Sequence, residues 1–283
     1  MAYISFQPKD YFKTKLFTAN ASTQSITGIG FRPDMVWGKS RGQSYDHEVY
    51  DAVRGVLKRL KTNQNHQEVS DAGNLTSFDS DGFSLGSATN MNYSNGDNIV
   101  AWNWKANGQG SSNTDGSINT TYTSANTTSG FSISTYVGTG GAATIGHGLG
   151  AIPQVILVKN VTSVEHWVMY HHKSHATPED NYLRLNSSNA VADFDMWNDT
   201  APTNQVFSIS NNGSVGASGD TYVAYCFTNK KGFFHSGTYT GTGSTSSTPF
   251  VYTGFKPSLL IVKRTDSSAH WQMTDNKISF NGV

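Results

Sequence analysis

The chain is poor in cysteine, in charge and in long apolar runs. Its one cysteine, Cys226, lies in the apolar stretch Val223-Ala224-Tyr225-Cys226-Phe227, which excludes an intrachain disulfide framework. A thiol in such surroundings reads as a small buried hydrophobe, not a reactive group. Charged residues make up 14% of the 283 positions, against about 25% in an ordinary globular chain. Twenty acidic and twenty basic side chains cancel to a formal net charge of zero. No basic stripe argues for nucleic acid, and no polybasic cluster argues for an anionic membrane surface. No apolar stretch approaches the ~18 residues of a membrane span, and the opening Met1-Ala2-Tyr3-Ile4-Ser5-Phe6 lacks the features of a signal peptide. The expectation is a protein made in a reducing cytosol, with no membrane insertion.

Ser, Thr, Asn and Gly dominate instead, with 12% aromatics. These residues populate turns and the exposed faces of strands. One block recurs three times. The first copy holds Gly30-Phe31-Arg32-Pro33-Asp34-Met35-Val36-Trp37-Gly38-Lys39, the second Ala151-Ile152-Pro153-Gln154-Val155-Ile156-Leu157-Val158-Lys159, the third Phe255-Lys256-Pro257-Ser258-Leu259-Leu260-Ile261-Val262-Lys263. Spacings of about 120 and 104 residues suit tandem β domains and not a short-repeat solenoid. Each post-proline run reads as a buried strand. Seven or eight residues past its closing Lys stands a histidine: His47, His166 and His270, the last two followed by Trp167 and Trp271. Asn95-Gly96-Asp97 and Ser218-Gly219-Asp220 open closing strands in copies one and two, and copy three ends at Asn281-Gly282-Val283 before reaching one. The predicted fold is all-β, with two complete lectin-like or jelly-roll sandwich modules and one partial module. The expected boundaries are an attachment segment at 1–15, modules at 16–106 and 130–231, a flexible Gly/Ser/Asn linker at 107–129 and a partial module at 232–283. Residues 46–60 carry Val49, Val53, Val56, Leu57 and Leu60 at roughly helical spacing, which predicts either a short helix or a loop.

Candidate chemistry is sparse. Pro33, Pro153 and Pro257, Trp37, His47, His166, Trp167, His270 and Trp271 recur and read as structural positions. His166, His171, His172 and His175 cluster in sequence, but a strand sends His171 and His172 to opposite faces, against joint metal ligation. Asp79-Ser80-Asp81-Gly82 is explained by Asx-turn chemistry without calcium. No paired-carboxylate constellation, nucleophile elbow or phosphate-binding Gly loop is present, so an enzyme is not expected, nor is a metal or other cofactor. Trp197 in Asp195-Met196-Trp197-Asn198-Asp199 lacks a repeat counterpart. With Asn198 and Tyr182 it forms the candidate glycan-binding set.

The opening Tyr3-Ile4-Ser5-Phe6-Gln7-Pro8, the block around Pro33 to Arg41, His47 with Tyr50-Asp51 and Arg54-Gly55, and Asp79 to Leu85 resemble tail-fibre-like structural proteins of marine bacteriophages, including those infecting cyanobacteria. Copy two departs from the pattern, carrying His171 in place of Asp51 and no Arg-Gly pair. If Asp51 and Arg54 brace a loop, copy two must brace it differently. The resemblance implies a virion protein assembled in the host cytoplasm, as a homo-oligomeric, commonly trimeric, tail fibre that contacts other tail proteins and host surface glycan. Alternatives are a capsid decoration or head fibre, a carbohydrate-binding module, and a glycan depolymerase. A neighbouring chain or another virion protein is expected to cover the partial third module.

Overall fold

A computed structural model describes residues 6–277. The fold is all-β, as the sequence predicts. In the first module, β1 (Phe12–Thr18), β2 (Gln24–Ile26), β3 (Met35–Ser40), β4 (Glu48–Asp51), β5 (Lys58–Lys61), β6 (Val69–Ser70), β7 (Leu75–Asp79), β8 (Gly82–Leu85) and β9 (Asn98–Trp104) build two antiparallel sheets. The large sheet runs β1-β9-β3-β4-β5-β6, and the small one β2-β8-β7. The second module repeats this plan with β10 (Tyr122–Asn126), β11 (Phe131–Val137), β12 (Ala143–Gly146), β13 (Val155–Asn160), β14 (Val168–His171), β15 (Asn181–Arg184), β16 (Ala192–Asp193), β17 (Val206–Ile209) and β18 (Thr221–Phe227). Its large sheet is β10-β11-β18-β13-β14-β15-β16, and β12 pairs with β17. The third segment contributes one hairpin, β19 (Leu259–Val262) with β20 (Gln272–Asp275).

Both faces of each large sheet are buried, because the side chains of a strand alternate and both sets here are apolar. Along β9, Ile99 and Ala101 face the small sheet with Val36, Tyr50 and Phe83. Val100, Trp102 and Trp104 face the other way, into a core shared with Leu157, Trp167 and Tyr225 of the second module. In β18, Tyr222, Ala224 and Cys226 fill the second module's own core. Cys226 is fully buried, and burial pushes its thiol pKa up to about 12, as suits a packing residue. Leu259, Trp271 and Met273 of the third segment join the central core.

The sheet register corrects the repeat alignment. Trp37 pairs with Val49, Leu157 with Met169 and Ile261 with Met273. Counting back two residues, His47 matches Trp167 and Trp271, while His166 and His270 match Asp46. The three histidines are therefore not one position. A one-residue slip reverses the facing of every side chain, so the difference is structural. Two asparagines confirm it. Asn63 Oδ1 accepts the His47 amide and its Nδ2 donates to Asp46, while Asn186 Oδ1 accepts the Trp167 amide and its Nδ2 meets His166 Nδ1.

The segments meet through repeated contacts. Trp167 Nε1 donates to the Lys61 carbonyl at 2.8 Å, and Trp271 Nε1 to the Arg184 carbonyl at 2.9 Å. The Glu68 amide donates to Val161 O and the Val191 amide to Thr265 O. Lys159 reaches Asn65 O, and Lys263 reaches Ser188 O. Tyr225 OH of the second module donates to Asp51 of the first at 2.7 Å. The matching Trp102 of the first module donates to Asp275 of the third at 3.1 Å. The contact pattern is thus cyclic: two to one, three to two, one to three.

Several boundary expectations fall to these hydrogen bonds. Residues 107–129 are not a flexible linker: the Asn107 amide bonds Ser124 Oγ, Ser117 and Thr144 exchange two bonds, and β10 pairs along β11. The boundary between 15 and 16 cuts through β1, which pairs with β9 over its whole length. Residues 1–5 and 278–283, including the predicted Asn281-Gly282-Val283 stop, lie outside the described residues. The 46–60 stretch forms β4 and β5, not a helix. Val49 and Leu60 are cross-strand partners, and the chain turns through Gly55 and Leu57, both at positive φ.

Candidate functional site

The predicted glycan set does not assemble on the surface. Trp197 is 1% exposed, its Nε1 donates to the Asn181 carbonyl at 3.0 Å, and its ring meets Tyr170 edge-on at 5.9 Å. Tyr182 is also buried, with the Arg184 guanidinium over its ring. Asn198 alone reaches solvent. The polar neighbours of Trp197 mimic a surface loop in sequence, yet Met196 and Trp197 turn inward to close the second module's core.

The histidines serve packing and local bracing. His47 Nδ1 accepts from Trp37 Nε1 at 3.3 Å, and its ring stacks on Trp102. Burial, reinforced by the Lys39 charge and partly opposed by Asp46, lowers the His47 pKa to about 4, which keeps it neutral and able to accept. At the loops after β4, β14 and β20 the bracing takes three forms. Asp51 Oδ1 accepts the Val53 and Arg54 amides, His171 Nδ1 accepts the Lys173 amide, and Asp275 Oδ1 accepts the Lys277 amide. His171 therefore does the local work of the missing aspartate with its ring nitrogen. Asp81 is similarly occupied, its carboxylate accepting the Gly28 and Gly30 amides, both at positive φ. These bonds hold its pKa below the ordinary carboxylate value. No cluster of three or more potential metal ligands occurs among the described residues.

Two sets of buried charges are paired internally. Arg54 Nε meets Asp51 at 2.5 Å and its Nη1 meets Glu68 at 2.9 Å, while Tyr225 caps Asp51 from the second module. Glu48 meets Arg59 at 3.0 Å and accepts from Tyr50 and Thr89. Both sets sit inside packing layers where an unpaired charge is costly. Sequence reasoning singled out Asp51 and Arg54. It missed Glu68, 14 residues from Arg54, and Tyr225, 174 residues from Asp51.

One surface stands apart: the third segment. Phe250 is 88% exposed and Tyr252 78%. A cleft of about 350 Å³ opens beside them, lined by Asn229, Lys230, Phe234, His235 and Tyr252 among others. Two exposed aromatics and a partly uncovered hairpin distinguish this segment from the filled cores of the two modules. It holds no arranged nucleophile and base among the described residues.

No helix among the described residues is long and apolar enough to cross a membrane. No curated protein and no solved structure matches the chain. Residues 7–282 match a family model described as a domain of unknown function (DUF7483). With nearly the whole chain matched, the protein belongs to the DUF7483 family.

Proposed function

We propose that this protein is a structural component of a bacteriophage virion, a tail fibre or fibre-like subunit that helps attach the particle to its host. The resemblance of the Pro33–Arg41 and Asp79–Leu85 blocks to tail-fibre-like proteins supports this reading. The observation that carries it furthest is the third segment, whose apolar residues stay uncovered beside two closed modules. An assembly protein needs such a surface, whereas a self-contained enzyme does not. Homo-oligomerisation, contacts with other tail proteins and contact with host glycan belong to the same reading. Tyr182 and Trp197, being buried, are not offered as the glycan contact.

Immunogold electron microscopy of virions carrying the protein tests the proposal. Label along tail fibres is the expected result. Label spread over the capsid would establish the decoration alternative instead, and unlabelled virions would remove the structural reading. Incubation with host polysaccharide should leave its chain length unchanged.

A further inference from the structure

The repeats separate what the fold requires from what it does not. At one end of the first module, the loop after β3 faces the loop before β9, and Tyr45 OH and Ser94 Oγ share a hydrogen bond across them at 2.7 Å. The second module ties the corresponding loops through Glu165, at the matching register, whose carboxylate accepts from Ser214 Oγ at 2.7 Å. Ala269 stands in that place in the third segment. The clasp therefore needs a polar group and not an aromatic ring. The first module nevertheless adds a second ring: Tyr93 meets Tyr45 edge-on, with centroids 6.2 Å apart, and is 61% exposed. The facing loop of the second module, residues 210–217, contains two glycines and no aromatic.

Both loops are held without help from Tyr93. Ser40 Oγ donates to Asp97 at 2.5 Å and accepts the Gln43 amide at 2.8 Å. Asn92 Nδ2 donates to the Ser22 and Gly86 carbonyls, and its Oδ1 accepts the Asn20 amide. Such bracing fixes the tyrosine pair before any ligand arrives, which lowers the entropy lost on binding. The solvent at this end of the module is not owed to a missing neighbour. The corresponding loop of the second module has the first module bonded beside it, where Val161 O accepts the Glu68 amide, and Val164 is still 58% exposed.

We infer that the Tyr45–Tyr93 pair is a binding platform for a neutral carbohydrate, with Tyr93 stacking on the CH face of one pyranose ring and the Gln43 and Asn95 amides bonding its hydroxyls. A pyranose presents an apolar face inside a rim of hydroxyls. An exposed aromatic face flanked by planar polar groups matches both parts, and Arg41, Gln43 and Asn95 are exposed in the same two loops. An organic cation would want a free carboxylate or a cage of rings. Here Asp97 is bonded to Ser40 and Asp46 is paired with Lys61, and the two rings stand at 81° to each other.

The assignment deepens the glycan contact of the proposed function and rests on that reading only for where the sugar comes from. Its test is saturation-transfer NMR of the 283-residue chain with the methyl glycosides of glucose, galactose, mannose, N-acetylglucosamine and N-acetylgalactosamine, and with a methyl sialoside for comparison. Transfer to the ring CH protons of at least one neutral glycoside is the expected result. Tyr93→Ala should weaken that binding by about tenfold, as removal of an aromatic anchor does, and Tyr93→Phe should keep it. Because the side chain stands in solvent, the thermal midpoints of both variants should stay close to that of the parent. No transfer to any neutral glycoside, transfer to the sialoside alone, or binding that Tyr93→Ala leaves unchanged would overturn the assignment. Immunogold label on tail fibres would stand in each of those cases, so a failed sugar site and a failed virion reading give different results.

Discussion

The same strand occurs three times, twice enclosed and once largely exposed. Val36 is 0% exposed and Ile156 1%, but Leu260 at the matching position is 46% exposed. On the opposite face Trp37 and Leu157 are 7% and 8% exposed, and Ile261 is 37%. The residues are alike in polarity, so the difference lies in what surrounds them. The first two strands have a paired neighbour on each side and a small sheet above. The third has one neighbour among the described residues. A hydrophobic run fixes where a strand forms, whereas its burial depends on elements far away in the chain.

Ways to break this comparison can be ranked by effect. Arg54→Met should be the most damaging. Asp51 and Glu68 would lose their buried cation, at about 3–5 kcal/mol, and urea denaturation would read the loss. The paired test Leu157→Ala against Ile261→Ala asks the same question of closed and open copies. The first should cost about 2–5 kcal/mol and the second about 1 kcal/mol or less. Equal losses would mean that the third hairpin is as well packed as the second. Acid should come next. His47 and His171 are both pushed down by burial to about 4, from an ordinary 6.5. The unfolded chain takes up their protons below about pH 6.5, while the folded one resists until about pH 4. Stability is then fully present above that window and falls as pH drops through it. Denaturant midpoints between pH 7 and pH 4 would follow the loss, and His47→Phe should flatten the profile. The smallest effect belongs to Arg264→Ala. Its pair with Asp266 lies fully in solvent, so the thermal midpoint should not move measurably.

Much of the fold is legible in the linear pattern. The post-proline runs become β3, β13 and β19, and the Gly-Asp turns lead into β9 and β18. Cys226 is buried where its apolar neighbours place it. The histidine alignment was misled by letter identity. His47 does the packing of Trp167 and Trp271, and only cross-strand register reveals the one-residue offset. Trp197 was misread for a related reason: its flanking aspartates describe a loop's composition, not the direction of its side chains. The polar run at 107–117 looks like a tether, yet its hydroxyls and amides are used to bond β10, Thr120 and Thr144.

The sequence by itself determined the all-β class, the strand positions and the internal repetition, because alternation, turn residues and proline act over a few neighbouring positions. Only the tertiary structure decided that both faces of each large sheet would be buried, and that Asp51 and Asp275 would be capped from other segments. It alone left β19 with a single paired neighbour among the described residues. Those outcomes depend on groups a hundred or more residues apart in the chain, whose meeting no local pattern encodes.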